Sequence, residues 1–150
     1  MAILKSFENT PLEKMLIQDE GWRNRMYACP KGKLTIGVGF NLEANAMCDP
    51  AIRAQLRHDI AKAQESAAKV VGPVWAEIDS VRQDILTSMV FQMGAGGFAK
   101  FTDTLEAVRE KKWAEASTHM LNSRWAKQTG RRARRLAEMM EKGEYVKYRL

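Results

Sequence analysis

Residues 10–39, TPLEKMLIQDEGWRNRMYACPKGKLTIGVG, decide the fold, because they join a capped helix to a strand pair within thirty positions. Thr10 is a good N-cap, Pro11 suits the first helical position, and Glu13 stands where a capping box needs its acid. Leu12, Met15 and Leu16 then form an apolar stripe, which predicts a buried helical face and a helix over about Pro11 to Glu20. Gly21 stops it, since glycine adopts positive φ at little cost. Arg25-Met26-Tyr27-Ala28 and Leu34-Thr35-Ile36-Gly37-Val38 read as two strands. Cys29-Pro30-Lys31-Gly32-Lys33 between them has the Pro and Gly of a turn, so a β-hairpin is expected.

Downstream the pattern is helical. Ile52, Leu56, Ile60 and Ala63 share one face of a helix running from Asp49-Pro50 to about Val70, and Pro73 marks a break. The next helix starts at about Val74 or Ile78. Its apolar positions Ile78, Val81, Ile85 and Met89, widened by Leu86, Val90 and Phe91, mark the central helix of a bundle. Gly94-Ala95-Gly96-Gly97 is expected to end it at about Met93. Helical segments follow at about Thr102 to Glu110, Trp113 to Asn122 and Gly130 to Glu141, with Gly143 as the last C-cap. The fold class is therefore α+β: a single domain with a small N-terminal lobe over about residues 11–70 and a helical C-terminal lobe over about 71–150, with a ligand cleft between them.

The composition agrees with an ordinary globular protein. The chain has 150 residues, 45% hydrophobic and 28% charged, with 10 Gly and 4 Pro. A chain of that length buries roughly 68–70% of its unfolded surface, enough for one core without a disulfide or metal. No stretch approaches the about 18 apolar residues of a membrane span. Lys5, Glu8, Glu13 and Lys14 interrupt the start where a signal peptide needs an apolar run, so a cytosolic product is expected. Cys29 and Cys48 are too few for a disulfide framework and lack zinc spacing; with His58 and His119 far apart in sequence, neither a metal nor a cofactor is expected. Most of the net charge of +6 lies in the last fifty residues, which hold 12 Lys and Arg against 7 Asp and Glu. That field attracts a polyanion of some kind and does not choose among nucleic acid, membrane surface and wall polymer.

Three side chains suggest chemistry. Glu20 closes a helix, where the negative end of the dipole and partial burial would both make its carboxyl hold a proton, as a general acid requires. The plainer reading pairs it with Arg23 or Arg25. Cys29 and Thr35 flank the hairpin turn and bring a thiol and a hydroxyl toward the same place. Alone, the first reads as a small buried hydrophobe and the second as a strand residue.

Together the spacing is specific. Glu20, eight residues, Cys29, five residues, Thr35 resembles the acid, Asp-or-Cys, Thr triad of the phage lysozymes of the T-even type, the endolysins of glycoside hydrolase family 24. Asp19-Glu20-Gly21-Trp22-Arg23, Tyr27, Gly32 and Thr35-Ile36-Gly37-Val38-Gly39 are similar to that family's active-site signature. Val81-Arg82 with Met89-Val90-Phe91-Gln92-Met93-Gly94 resembles its central helix, and Ser123-Arg124-Trp125, Gln128-Thr129 and the basic segment from Arg132 its C-terminal lobe. The resemblance implies a lysozyme-like fold. It also implies a muramidase that hydrolyses the β-1,4 bond between N-acetylmuramic acid and N-acetylglucosamine in peptidoglycan.

By position, Glu20 would protonate the leaving oxygen, Thr35 would help hold the attacking water, and Arg132 would reach Glu20. Asn41, Phe91, Gln92, Thr104 and His119 match the saccharide contacts, although Asn41 and His119 differ from the usual residues. Cys29 stands where better-known members have Asp. A free thiol is only a few per cent ionised near pH 7, so Lys31 and Lys33 would have to lower its pKa for the same duty; a thiolate could alternatively attack the sugar directly. Phe40 replaces a common His, which leaves Asp59 without that partner.

The resemblance implies peptidoglycan as partner and a protein kept in the host cytoplasm until a separate membrane-permeabilising protein, a holin, releases it to the wall; a monomer is the default expectation, and neither nucleic acid nor stable membrane insertion is expected. A lytic transglycosylase on the same bond and a non-catalytic wall-binding module are the alternatives. The first is distinguished by anhydro rather than reducing ends, the second by binding without clearing. A nucleic-acid-binding helical protein would need a recognition helix, and none is visible.

Overall fold

The computed structural model describes residues 10–146. Its order is helix α1 (Pro11–Glu20), strands β1 (Arg23–Ala28), β2 (Leu34–Gly37) and β3 (Phe40–Asn41), then helices α2 (Asp49–Val71), α3 (Ser80–Ala99), α4 (Thr102–Arg109), α5 (Trp113–Leu121), α6 (Arg124–Thr129) and α7 (Arg131–Lys142). A 3₁₀ turn, Pro73–Glu77, precedes α3. The architecture is the expected α+β one, and the chain divides into two compact units between Ile52 and Arg53.

In the first unit, α1 begins with the capping box read from the sequence. Glu13 N–H donates to Thr10 Oγ1 at 3.2 Å, and Thr10 N–H donates to the Glu13 carboxylate at 2.6 Å. Gly21, at φ +79°, ends the helix by donating its N–H to Ile17 O. The stripe is not buried as expected: Leu12, Met15 and Leu16 are 59%, 53% and 43% exposed. The sheet has one more strand than expected. β1 and β2 pair antiparallel, Tyr27 opposite Thr35, and β2 turns through Gly37-Val38-Gly39 into β3, which places Thr35 opposite Asn41.

The second unit is helical. Ile85, Leu86 and Met89 of α3 are fully buried with Phe98, Val108, Met120 and Met140. From α2, Ala63, Ala67 and Val71 join this core, whereas Ile52, Leu56 and Ile60 of the same stripe stay exposed. The central helix starts later than the apolar run suggested, because Asp79 caps it through Arg82 N–H at 3.1 Å. Gly94 breaks the helix as expected, at φ +77° and ψ +165°, but helical geometry resumes to Ala99. α6 was not anticipated; Ser123 caps it through Ala126 N–H.

Two arginines close helix ends with charge-assisted bonds to carbonyls, which otherwise lack intrahelical donors. Arg82 lies 4.3 Å over the Trp113 ring and donates to Met140 O at 2.7 Å and Glu141 O at 2.9 Å, ending α7. Arg109 does the same for α2 through Val70 O and Val71 O. Gly143 then takes the left-handed conformation predicted for the last cap.

Candidate active site

The hairpin turn gathers Cys29 and Thr35 at one atom. Cys29 N–H donates to Lys33 O at 2.9 Å, and the Thr35 hydroxyl donates to the same oxygen at 3.0 Å. Thr35 is only 3% exposed, so its side chain is held by packing as well. Gly32 N–H closes the turn onto Cys29 O at 2.7 Å. Glu43 fixes the far side, accepting from Leu34 N–H at 3.1 Å and from Lys33 Nζ at 2.9 Å.

This turn tunes the thiol. The Cys29 pKa lies below the ordinary thiol value, first because the Lys33 N–H stabilises the thiolate and then because the Lys31 N–H does; the Thr35 hydroxyl and the Lys31 charge add to this, against a desolvation cost. The two lysines thus act differently from the expectation. Lys33 contributes through its backbone while its ammonium pairs with Glu43, and only Lys31 contributes through charge. A hydroxyl has one proton and two lone pairs, so Thr35 can donate to Lys33 O or to sulfur and still accept from a water. Both Cys29 and Cys48 are free thiols.

Glu20 is the last residue of α1, as required for the helix-end argument, but it is exposed, so the burial half of that argument is not met. The alternative pairing is also absent: among the described residues Glu20 makes no ion pair, and Arg23 lies instead over the Tyr27 ring at 4.6 Å. The Glu20 carboxyl lies against Gly39 in the β2–β3 turn. Asn41, opposite Thr35, uses its carboxamide oxygen to accept from Glu43 N–H at 2.9 Å and Ala44 N–H at 3.2 Å, which leaves its NH₂ group to donate outward.

The remaining candidates lie in the second unit. Phe91, 47% exposed, lines a groove of about 470 Å³ with Asp59, Lys62, Ser66 and Gly94. Asp59 accepts from Gln55 Nε2, one turn earlier on α2, at 2.9 Å. Gln92 is held by Trp125, whose indole N–H donates to Gln92 Oε1 at 2.9 Å. The Trp125 ring is buried and meets Phe101 edge to face at 6.0 Å, so it is a core residue. One turn before Phe91 on α3, Ser88 Oγ accepts from Arg132 at 3.0 Å. Thr104, buried, and His119, half-buried, line a separate depression of about 180 Å³ with Asp103 and Asn122.

Sequence reasoning did not find Lys33 O, Gly39, Ser88 or the bond from Trp125 to Gln92. Only Gly39 left a signal, its place in the Thr35-Ile36-Gly37-Val38-Gly39 signature. Among the described residues no group of three or more His, Cys, Asp or Glu is placed to hold a metal ion, and no helix is long and apolar enough to cross a membrane.

Known proteins resemble this chain throughout. Residues 17–141 match the family described as Phage lysozyme. Two proteins of Dictyostelium discoideum, Probable T4-type lysozyme 2 and Probable T4-type lysozyme 1, are each 30% identical over 92% of this chain and 98% of their own length. The Pre-baseplate central spike protein Gp5 of Enterobacteria phage T4 is 29% identical over 93% of this chain, which corresponds to 29% of that protein.

Proposed function

The chain belongs to the phage lysozyme family and is a muramidase-type lysozyme, and from that premise we propose that it is an endolysin hydrolysing the β-1,4 bond between N-acetylmuramic acid and N-acetylglucosamine through Glu20, Cys29 and Thr35. The observation that carries the residue roles is the convergence of Cys29 and Thr35 on Lys33 O, with the thiol held below its ordinary pKa.

In this reading Glu20 gives its proton to the glycosidic oxygen as that bond breaks. A water positioned by the Thr35 hydroxyl attacks the anomeric carbon, and Cys29, as thiolate, takes the proton the water loses. The product is a reducing N-acetylmuramic acid end, with inversion. Asn41, Phe91, Gln92, Thr104 and His119 are proposed glycan contacts. Arg132 stands with them as a candidate, held on α3 by Ser88. The lowered thiol pKa also favours a second route, in which sulfur attacks the sugar and water later releases it with retention. Stereochemistry of the first-formed product separates the routes, and the account above requires inversion.

We place the protein in the host cytoplasm until a holin opens the membrane, after which wall hydrolysis frees progeny phage. Expression with and without a holin tests this. Lysis that follows holin action supports it, and prompt lysis without a holin contradicts it. Purified peptidoglycan tests the chemistry, with reducing ends expected and anhydro ends contradicting hydrolysis.

A further inference from the structure

We propose that Gly39 is a positioning residue: its bare α-carbon is the seat on which the Glu20 carboxyl rests, and any side chain there displaces the acid. The inference rests on the reading of Glu20 as the proton donor. A Cβ built at Gly39 would stand 2.9 Å from Glu20 Oε2, 3.3 Å from Cδ and 3.4 Å from Cγ. The whole end of the side chain therefore lies along the turn. The first distance is shorter than carbon and oxygen tolerate, so an alanine would push the carboxyl off.

The structure contains its own control two residues earlier. Gly37 and Gly39 bracket Val38 in the same turn and have nearly the same backbone angle, φ +67° and +68°. A side chain is strained at both for the same reason. Their surroundings differ, since a Cβ at Gly37 would meet nothing within 4 Å. Backbone strain is thus shared and only the contact with Glu20 is particular to Gly39.

How the clash is relieved decides what is lost. Glu20 is exposed and its carboxyl is the far end of a flexible chain, so it gives way by rotating at little cost in stability. Catalysis responds differently, because a proton donor misplaced by about 1 Å can lose on the order of 100-fold in rate. Gly39→Ala should then resemble Gly37→Ala in stability and differ from it in turnover.

The experiment compares wild type, Gly37→Ala, Gly39→Ala and Glu20→Gln by thermal unfolding and by steady-state kinetics on solubilised peptidoglycan fragments. The expected result is a similar fall in Tm for the two glycine variants. For Gly39→Ala alone, kcat falls at least about 10-fold with KM little changed. Equal kcat in the two glycine variants at similar Tm, or a loss carried by KM, overturns the role of Gly39 while inactive Glu20→Gln leaves the acid assignment standing. An active Glu20→Gln overturns the assignment and the seat together.

Discussion

Replacing Trp125 with phenylalanine removes one indole N–H and leaves most of the ring in place. Trp125 is 7% exposed, and its N–H donates to Gln92 Oε1 at 2.9 Å. Gln92 is exposed, so once released its carboxamide oxygen is rehydrated, and the net loss for the bond is about 1 kcal/mol. The smaller ring adds a void against Phe101 worth about 1 kcal/mol more. A total of about 2 kcal/mol lowers Tm by roughly 4–8 °C for a chain of this size. In the assay, the freed Gln92 no longer offers a fixed amide for the proposed glycan contact. About 1 kcal/mol of lost orientation raises KM roughly 5-fold, with kcat unchanged. A double-mutant cycle with Gln92→Ala isolates the bond from the packing, and should return a coupling of about 1 kcal/mol in stability. Coupling indistinguishable from zero, or a fall in kcat at constant KM, would refute the argument that Trp125 acts on the site by holding Gln92.

Other consequences can be checked independently. Cys29→Asp should keep substantial activity, because a carboxylate is ionised near pH 7, whereas Cys29→Ala should lose most of it; a fully active Cys29→Ala removes the thiol from the mechanism. Because the folded-state thiol pKa is lowered, thiolate persists to lower pH than in a free cysteine, and the pH midpoint for iodoacetamide labelling of Cys29 in Cys48→Ser lies below the ordinary value. Arg82→Met keeps the aliphatic stem and removes the bonds to Met140 O and Glu141 O, which should cost about 2–4 kcal/mol, measured by urea unfolding. Residues 122–137 contain no Asp or Glu, and Arg124, Lys127, Arg131 and Arg134 are exposed. Replacing these four by glutamine should weaken adsorption to anionic walls at low salt and leave little difference at about 1 M, where charges are screened beyond about 3 Å.

Local signals were legible and long-range ones were not. The Thr10–Glu13 box, the stop at Gly21 and the break at Gly94 each depend on a few consecutive residues, and each is found where it was expected. The strand β3 is two residues long and α6 is six, too short for periodicity to register; a Ser123 cap was the only sign of α6. The apolar stripe of α1 shows the limit of pattern reading. Periodicity correctly predicted a helix, but periodicity does not show how fully a face is covered, and Leu12, Met15 and Leu16 remain largely exposed.

The site divides in the same way. Cys29 and Thr35 were legible because a turn brings residues six apart to one carbonyl, and their spacing carries the family resemblance. That Lys33 serves through its backbone was not legible, since nothing in a residue's identity says which way its N–H points. Gln92 and Trp125 are 33 residues apart, and Ser88 and Arg132 are 44 apart. Such pairs are created by helix packing, and no local pattern announces them.

The most direct test of the account is turbidity clearing of purified peptidoglycan by the wild type and by Glu20→Gln, with the released ends identified by mass. The account predicts clearing by the wild type, reducing N-acetylmuramic acid ends and no clearing by Glu20→Gln. Anhydro ends, undiminished clearing by Glu20→Gln, or binding without clearing by the wild type would contradict it.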